Sequence, residues 1–262
     1  MKVDSQDIYT LRIDPIRAEA LQHGLVIRGG FNLDQDDNVP DIGEQVAAKS
    51  LLLVGNAGSS IWASFSGSDE YHDGHPDPLN RWSERIGHAL ADKFGGQALF
   101  PFGGPPYQPF LRWAKKAESL QNSRLGMLIH PQYGLWHAYR FALAFPIPVG
   151  SSATGKARET ATAGGDICRQ CEQKPCLSTS PIGAGPVNAC PVNAFETGYD
   201  VQSCYRYLES HPDSKCMTTG CQARIACPQG AQYHYEPTHA AFHMRAFIGA
   251  GMRGGDIDRP VG

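Results

Sequence analysis

The chain has 262 residues, with 23 Lys+Arg against 26 Asp+Glu and a formal charge of −3. Its 41% hydrophobic and 19% charged residues describe a globular protein with ample core, not a disordered one. The near-neutral balance argues against a DNA-binding protein, no apolar run reaches the roughly 18 residues of a membrane helix, and the opening MKVDSQDIYTLRIDP has no apolar signal-type stretch, so a cytoplasmic protein is expected.

In chain order, Asp14-Pro15 opens a short helix ending near Gly24, and Leu25–Ile27 and Leu51–Val54 follow as strand-length apolar runs. Asp77-Pro78 reads as an N-cap and first helical position. Leu79, Trp82, Ile86, Leu90 and Phe94 then recur at spacings of three and four, and Gly95-Gly96 supplies the stop. Ala98–Phe100 is a further strand, Pro109–Leu120 a third helix with Phe110, Trp113 and Ala117 on its apolar side, and Leu125–Ile129 and Tyr139–Ile147 are strands. Alternation of this kind implies helices packed on a sheet, an α/β or α+β domain, and α+β is the expected class. Gly150–Asp166, rich in Gly, Ser, Thr and Ala without a periodic apolar face, reads as a linker. The expected division is therefore an α+β domain over residues 1–160 and a smaller domain over 161–262. His239-x3-His243 lies at helical spacing but lacks the glutamate of a metalloprotease helix, and reads as a surface face.

All eight cysteines fall between Cys168 and Cys227. Cysteines tolerated merely as small hydrophobes would be scattered along the chain. Their order is Cys168-x2-Cys171-x4-Cys176, Cys190-Pro191, Cys204, Cys216-x4-Cys221 and Cys227-Pro228. Disulfides belong to oxidising compartments and small secreted domains. Two all-thiolate zinc sites would also consume eight cysteines, but zinc ribbons pair CxxC with CxxC, and only one such pair is present. Two four-iron clusters leave no remainder, and the twice-repeated Cys-Pro matches the ferredoxin habit of closing a cysteine run with proline.

At these residues the chain resembles the C-terminal module of epoxyqueuosine reductases and reductive dehalogenases. Those proteins carry a CxxC-led motif closed by Cys-Pro, an isolated cysteine in a C-x-x-Y-L setting, then a further pair and a final Cys-Pro. Here the isolated one is Cys204, in Ser203-Cys204-Tyr205-Arg206-Tyr207-Leu208. The resemblance implies a ferredoxin-like module in which Cys168, Cys171, Cys176 and Cys227 hold one [4Fe–4S] cluster. Cys190, Cys204, Cys216 and Cys221 would hold a second. The chain departs from the pattern in spacing, with four residues before Cys176 and thirteen between it and Cys190.

A second resemblance lies in Ile129-His130-Pro131-Gln132-Tyr133-Gly134-Leu135-Trp136. It is similar to the HPxFGGWF segment of cobalamin-processing proteins of the cblC type and to FGSWF of epoxyqueuosine reductases. That likeness implies a nitroreductase-like domain with a corrinoid over its sheet. His130, Tyr133, Gly134, Trp136 and His137 are then the expected pocket residues. Tyr133 and Trp136 would offer broad faces and Gly134 close backbone approach. The alternative for the two aromatics is ordinary core packing.

The expected function is a redox protein that binds cobalamin or another corrinoid and delivers single electrons to its cobalt from two clusters. A flavodoxin, ferredoxin or reductase would be the electron donor. The alternatives are a two-cluster electron carrier without corrinoid, or a flavin-binding reductase in the same fold. Action on tRNA is disfavoured, since no basic stripe is present to hold it.

Overall fold

The computed structural model describes residues 10–43, 46–150, 166–179 and 201–252. The Gly150–Asp166 linker, apart from its two end residues, and Cys190 with the loop before it lie outside these residues. The chain forms two compact units. The first comprises Met1–Ser119 and His137–Ala163, the second Leu120–Trp136 and Gly164–Gly262. A cut near residue 160 therefore leaves out one segment of the second unit, because the stretch before Trp136 packs with the cysteine-bearing chain.

The first unit is mixed α and β. Its four-stranded antiparallel sheet has the order β1 (Val26–Asn32), β2 (Ser50–Ala57), β6 (His137–Phe145), β3 (Gln97–Leu99). Leu51–Val54 and Phe141–Phe145 are buried throughout, as central strands covered on both faces require. Helix α4 (Pro78–Phe94) buries Leu79, Trp82, Ile86 and Leu90, each worth about 2 kcal/mol of transfer free energy. Asp77 does not cap it through its side chain: the residue takes a left-handed conformation before Pro78. Helix α1 (Ile13–Gln22) and helix α5 (Phe110–Ala117) complete the expected helices. Two short helices the periodicity did not announce, α2 (Trp62–Ser66) and α3 (Asp69–His72), precede α4.

A bulge between Ile27 and Gly30 of β1 interrupts its register with β2, and such bulges re-aim side chains. Arg28, within it, is turned into the interior at 1% exposure. Its guanidinium donates to both carboxylate oxygens of Glu118, at 3.1 and 2.8 Å, and to the Asn56 carbonyl. The Tyr139 hydroxyl donates to the same carboxylate. Burial pushes the Glu118 carboxyl up against the pull of Arg28, and burial with the neighbouring carboxylate pushes the Tyr139 phenol up, so it stays a donor.

The second unit is built from short helices and one hairpin. The hairpin pairs β4 (Gln121–Asn122) with β5 (Leu128–Ile129), so the strand expected over Leu125–Ile129 is shorter than its apolar run. Helices α6 (Ile167–Gln170), α7 (Val201–Ser210), α8 (Lys215–Thr219), α9 (Gln222–Ile225) and α10 (Pro237–Met252) follow. On α10 Phe242 and Phe247 are half-buried and Arg245 is exposed. Among the described residues no helix is long and apolar enough to cross a membrane.

Candidate metal centre

Cys168, Cys171, Cys176 and Cys227 line one cavity of about 240 Å³. That volume lies below the roughly 300–1,000 Å³ of sites for drug-sized ligands, and suits a compact group. Each thiol is brought there by a local device. Asp166 caps α6, its carboxylate accepting from the N–H groups of Cys168 and Arg169 at 3.0 and 3.2 Å. Lys174 takes a left-handed conformation (φ 42°) and starts the 3₁₀ turn Pro175–Leu177 that carries Cys176. Cys227 follows α9 and is buried with Ile129 and Leu135 in a small apolar cluster.

The hairpin closes this arrangement from the other side. The Gln121 side-chain oxygen accepts from the Ile167 N–H at 2.9 Å, tying β4 to the start of α6. At its far end Gly134 (φ 58°) meets the chain just after Cys227-Pro228. A Cβ on Gly134 would lie 1.8 Å from the Gln229 carbonyl oxygen, and one on Gly230 would lie 2.4 Å from the Tyr133 carbonyl. The two backbones touch where both residues lack side chains, and the Gln229 side-chain amide donates to the Pro131 carbonyl.

Burial and the neighbouring thiolates Cys227, Cys168 and Cys171 push the Cys176 thiol up to about 11. Burial pushes the Cys227 thiol up too, partly offset by the Gln229 backbone N–H at its sulfur. Burial thus disfavours ionisation of Cys176 and Cys227 unless a cationic centre discharges them. Among the described residues no carboxylate lines the cavity, whereas Arg124 and Lys174 do.

A second group forms elsewhere in the same unit. Cys204, Cys216 and Cys221 interact electrostatically, with the Cys216 thiol pushed up by burial first and then by the other two. The Gln222 backbone N–H bonds to the Cys216 sulfur. Their implied fourth partner, Cys190, lies outside the described residues. None of the seven described cysteines is in a disulfide. Among the described residues no group of three or more His, Cys, Asp or Glu side chains is arranged to hold a single metal ion.

The expected corrinoid residues divide between the units: His130, Tyr133, Gly134 and Trp136 fall in the second, His137 at the start of β6 in the first. His130 closes a turn, its Nδ1 accepting from the Gln132 and Tyr133 N–H groups at 3.0 and 3.2 Å. Tyr133, half-buried, stacks on His130 and meets Tyr233 edge-on. Trp136 is 2% exposed and packs with Tyr235 and Ala240. The Arg224 guanidinium lies 4.3 Å over the Trp136 ring and 4.7 Å over Tyr235, and donates to the Leu135 carbonyl at 2.5 Å. Gly134 and Trp136 are thus taken up by the chain's own packing. They do not fit the floor of a macrocycle pocket.

His239 corrects the surface reading of the histidine pair. It is fully buried, stacked on Tyr235 at 4.1 Å, with its Nε2 3.1 Å from that of His243. Helical spacing alone gave no sign of the aromatic floor beneath it. Arg124, Lys174 and Arg224 likewise carried no motif, since each acts through a fold the spacing of cysteines does not describe.

No family model matches the chain, and no curated protein matches it.

Proposed function

We propose that this chain is an iron–sulfur redox protein holding two [4Fe–4S] clusters and serving single-electron transfer. The observation that carries the reading is the convergence of Cys168, Cys171, Cys176 and Cys227 on one small cavity, although Cys176 and Cys227 stand fifty-one positions apart in the chain. Cys204, Cys216 and Cys221 would hold the second group together with Cys190. A four-iron cube spreads its thiolates over four corners, further apart than the ligands of one zinc ion. The clusters, when bound, would supply reversible one-electron storage at a potential set by burial, charge and hydrogen bonds to sulfur.

The chain's own part is to seat the thiolates, to direct the Gln229 and Gln222 N–H groups at two of them, and to keep Cys227 among apolar side chains. A corrinoid acceptor rests on the resemblance of the His130–Trp136 segment and not on its packing. Cob(II)alamin is accordingly the first acceptor to offer the dithionite-reduced protein, and an artificial one-electron dye the second.

The test is anaerobic purification followed by iron and acid-labile sulfide determination. About eight of each per chain are expected, with broad visible absorption bleached by dithionite. Stoichiometric zinc without labile sulfide would overturn the reading.

A further inference from the structure

The cavity of Cys168, Cys171, Cys176 and Cys227 carries two positive charges that the cysteine pattern does not call for. Arg124 comes from the tip of the β4–β5 hairpin, in a turn closed by the Ser123 N–H on the Met127 carbonyl at 2.9 Å. Lys174 comes from a different segment, between Cys171 and Cys176 in the chain. Both side chains are half-buried and line the cavity. Among the described residues neither has a carboxylate partner, and none of the described Asp or Glu residues lines the cavity beside them. Of the described carboxylates near these residues in the chain, Asp166 is engaged by the Cys168 and Arg169 N–H groups and by the Arg169 guanidinium at 3.2 Å, and Glu172, just before Lys174 in the chain, is exposed and outside the cavity lining.

Partly desolvated cations without counter-ions are unfavourable by themselves, and their placement around four thiols calls for an anion between them. Lys174 adds a second sign. Its left-handed backbone is one that glycine or asparagine adopts at less cost. A strained backbone of this kind is a reason to look for a use of the lysine side chain.

We infer that Arg124 and Lys174 are positioning residues of the first cluster site, which hold its net negative charge and favour its one-electron-reduced form. The inference rests on the two-cluster reading. A four-iron core with two positive charges and four thiolates carries a net charge of −2. Uptake of one electron from an external donor such as dithionite makes it −3, so fixed cations at the cavity wall stabilise the reduced state more than the oxidised one. Neither side chain gives up a proton or a bond in this step. Their effect is confined to the cluster they face, so the second group, around Cys216, serves as an internal reference.

The experiment is a potentiometric titration of the full-length, anaerobically purified protein, followed by electron paramagnetic resonance. Wild type is compared with Arg124→Gln, Arg124→Lys, Lys174→Gln and Lys174→Arg. Each glutamine variant should make one of two cluster signals harder to reduce by about tenfold in the equilibrium, 59 mV for a one-electron couple, with the other signal unmoved. The charge-keeping variants should stay near wild type. Should Arg124→Gln lose iron instead, Lys174→Gln gives the same reading from a separate segment. Two clusters with unchanged potentials in both glutamine variants, or equal shifts of both signals, would overturn the inference and leave the proposed function standing. Wild-type protein with zinc and no labile sulfide would overturn the proposed function itself.

Discussion

At the scale of single residues the second unit turns on the contact between Gly134 and Gly230. A methyl group on Gly134 must move the Gln229 backbone, and the positive φ is strained for any other residue. Gly134→Ala should therefore destabilise this unit by about 3 kcal/mol, combining overpacking with left-handed strain. Because Gln229 follows Cys227-Pro228, iron content should fall with it, toward half of the wild-type value. Iron analysis beside denaturant unfolding checks this, and wild-type stability with full iron would contradict it. In the first unit Glu118→Ala would strand the Arg28 guanidinium in the interior, at 1% exposure. A loss of about 3–5 kcal/mol is expected, measurable by urea unfolding, while cluster content per folded molecule stays unchanged.

At the scale of elements, α3 is held to α4 by two ion pairs, Glu70 with Arg85 at 2.5 Å and Asp73 with Arg81 at 2.6 Å. The hydrogen-bonded Arg85 guanidinium lowers the Glu70 carboxyl from 4.5 to about 2, and Arg81 draws Asp73 down to about 2 as well. A carboxyl lowered in the folded state stabilises it above its unfolded pKa, and that contribution disappears as pH falls through the folded value. For Glu70 the window runs from 4.5 down to about 2. Denaturant unfolding at about pH 6 and about pH 3 should show a smaller loss in Glu70→Gln than in wild type, and equal losses would remove the pair from the account.

These same elements show what the sequence could convey. Helix α4 was legible because four of its buried residues, Leu79, Trp82, Ile86 and Leu90, repeat at helical spacing over a long span, and β2 and β6 because each carries an unbroken apolar run, Leu51–Val54 and Phe141–Phe145. Of the hairpin, β5 was legible only as the end of the Leu125–Ile129 run and β4 not at all, because a two-residue strand has too little pattern to separate it from loop. The Arg28 bulge was hidden for a related reason: alternation along a strand places a side chain inside or outside, and one inserted residue reverses the answer. His239 was misread because an imidazole buried by stacking has the same spacing as one facing solvent.

At the scale of the whole molecule, the cysteine order was informative because two groups of distant residues had to be assigned together. Cys168, Cys171, Cys176 and Cys227 line one cavity, and the proposed first cluster site rests on that grouping. The segment Leu120–Trp136 was the hardest part to place. Its aromatic and glycine pattern resembles a ligand floor, yet the same residue types serve equally to bring two backbones together and to seat an arginine between rings. Flat rings and a missing side chain favour close approach, whatever approaches.

The central claim is that the cysteines form two separate cluster sites, one of them shared between Cys168–Cys176 and Cys227. Iron and sulfide counts with electron paramagnetic resonance on Cys227→Ser and Cys204→Ser, purified anaerobically, test it most directly. Each variant should keep about four irons, and the signal lost from one should be the signal kept by the other. Loss of the same signal in both variants, or full iron in either, would contradict the account.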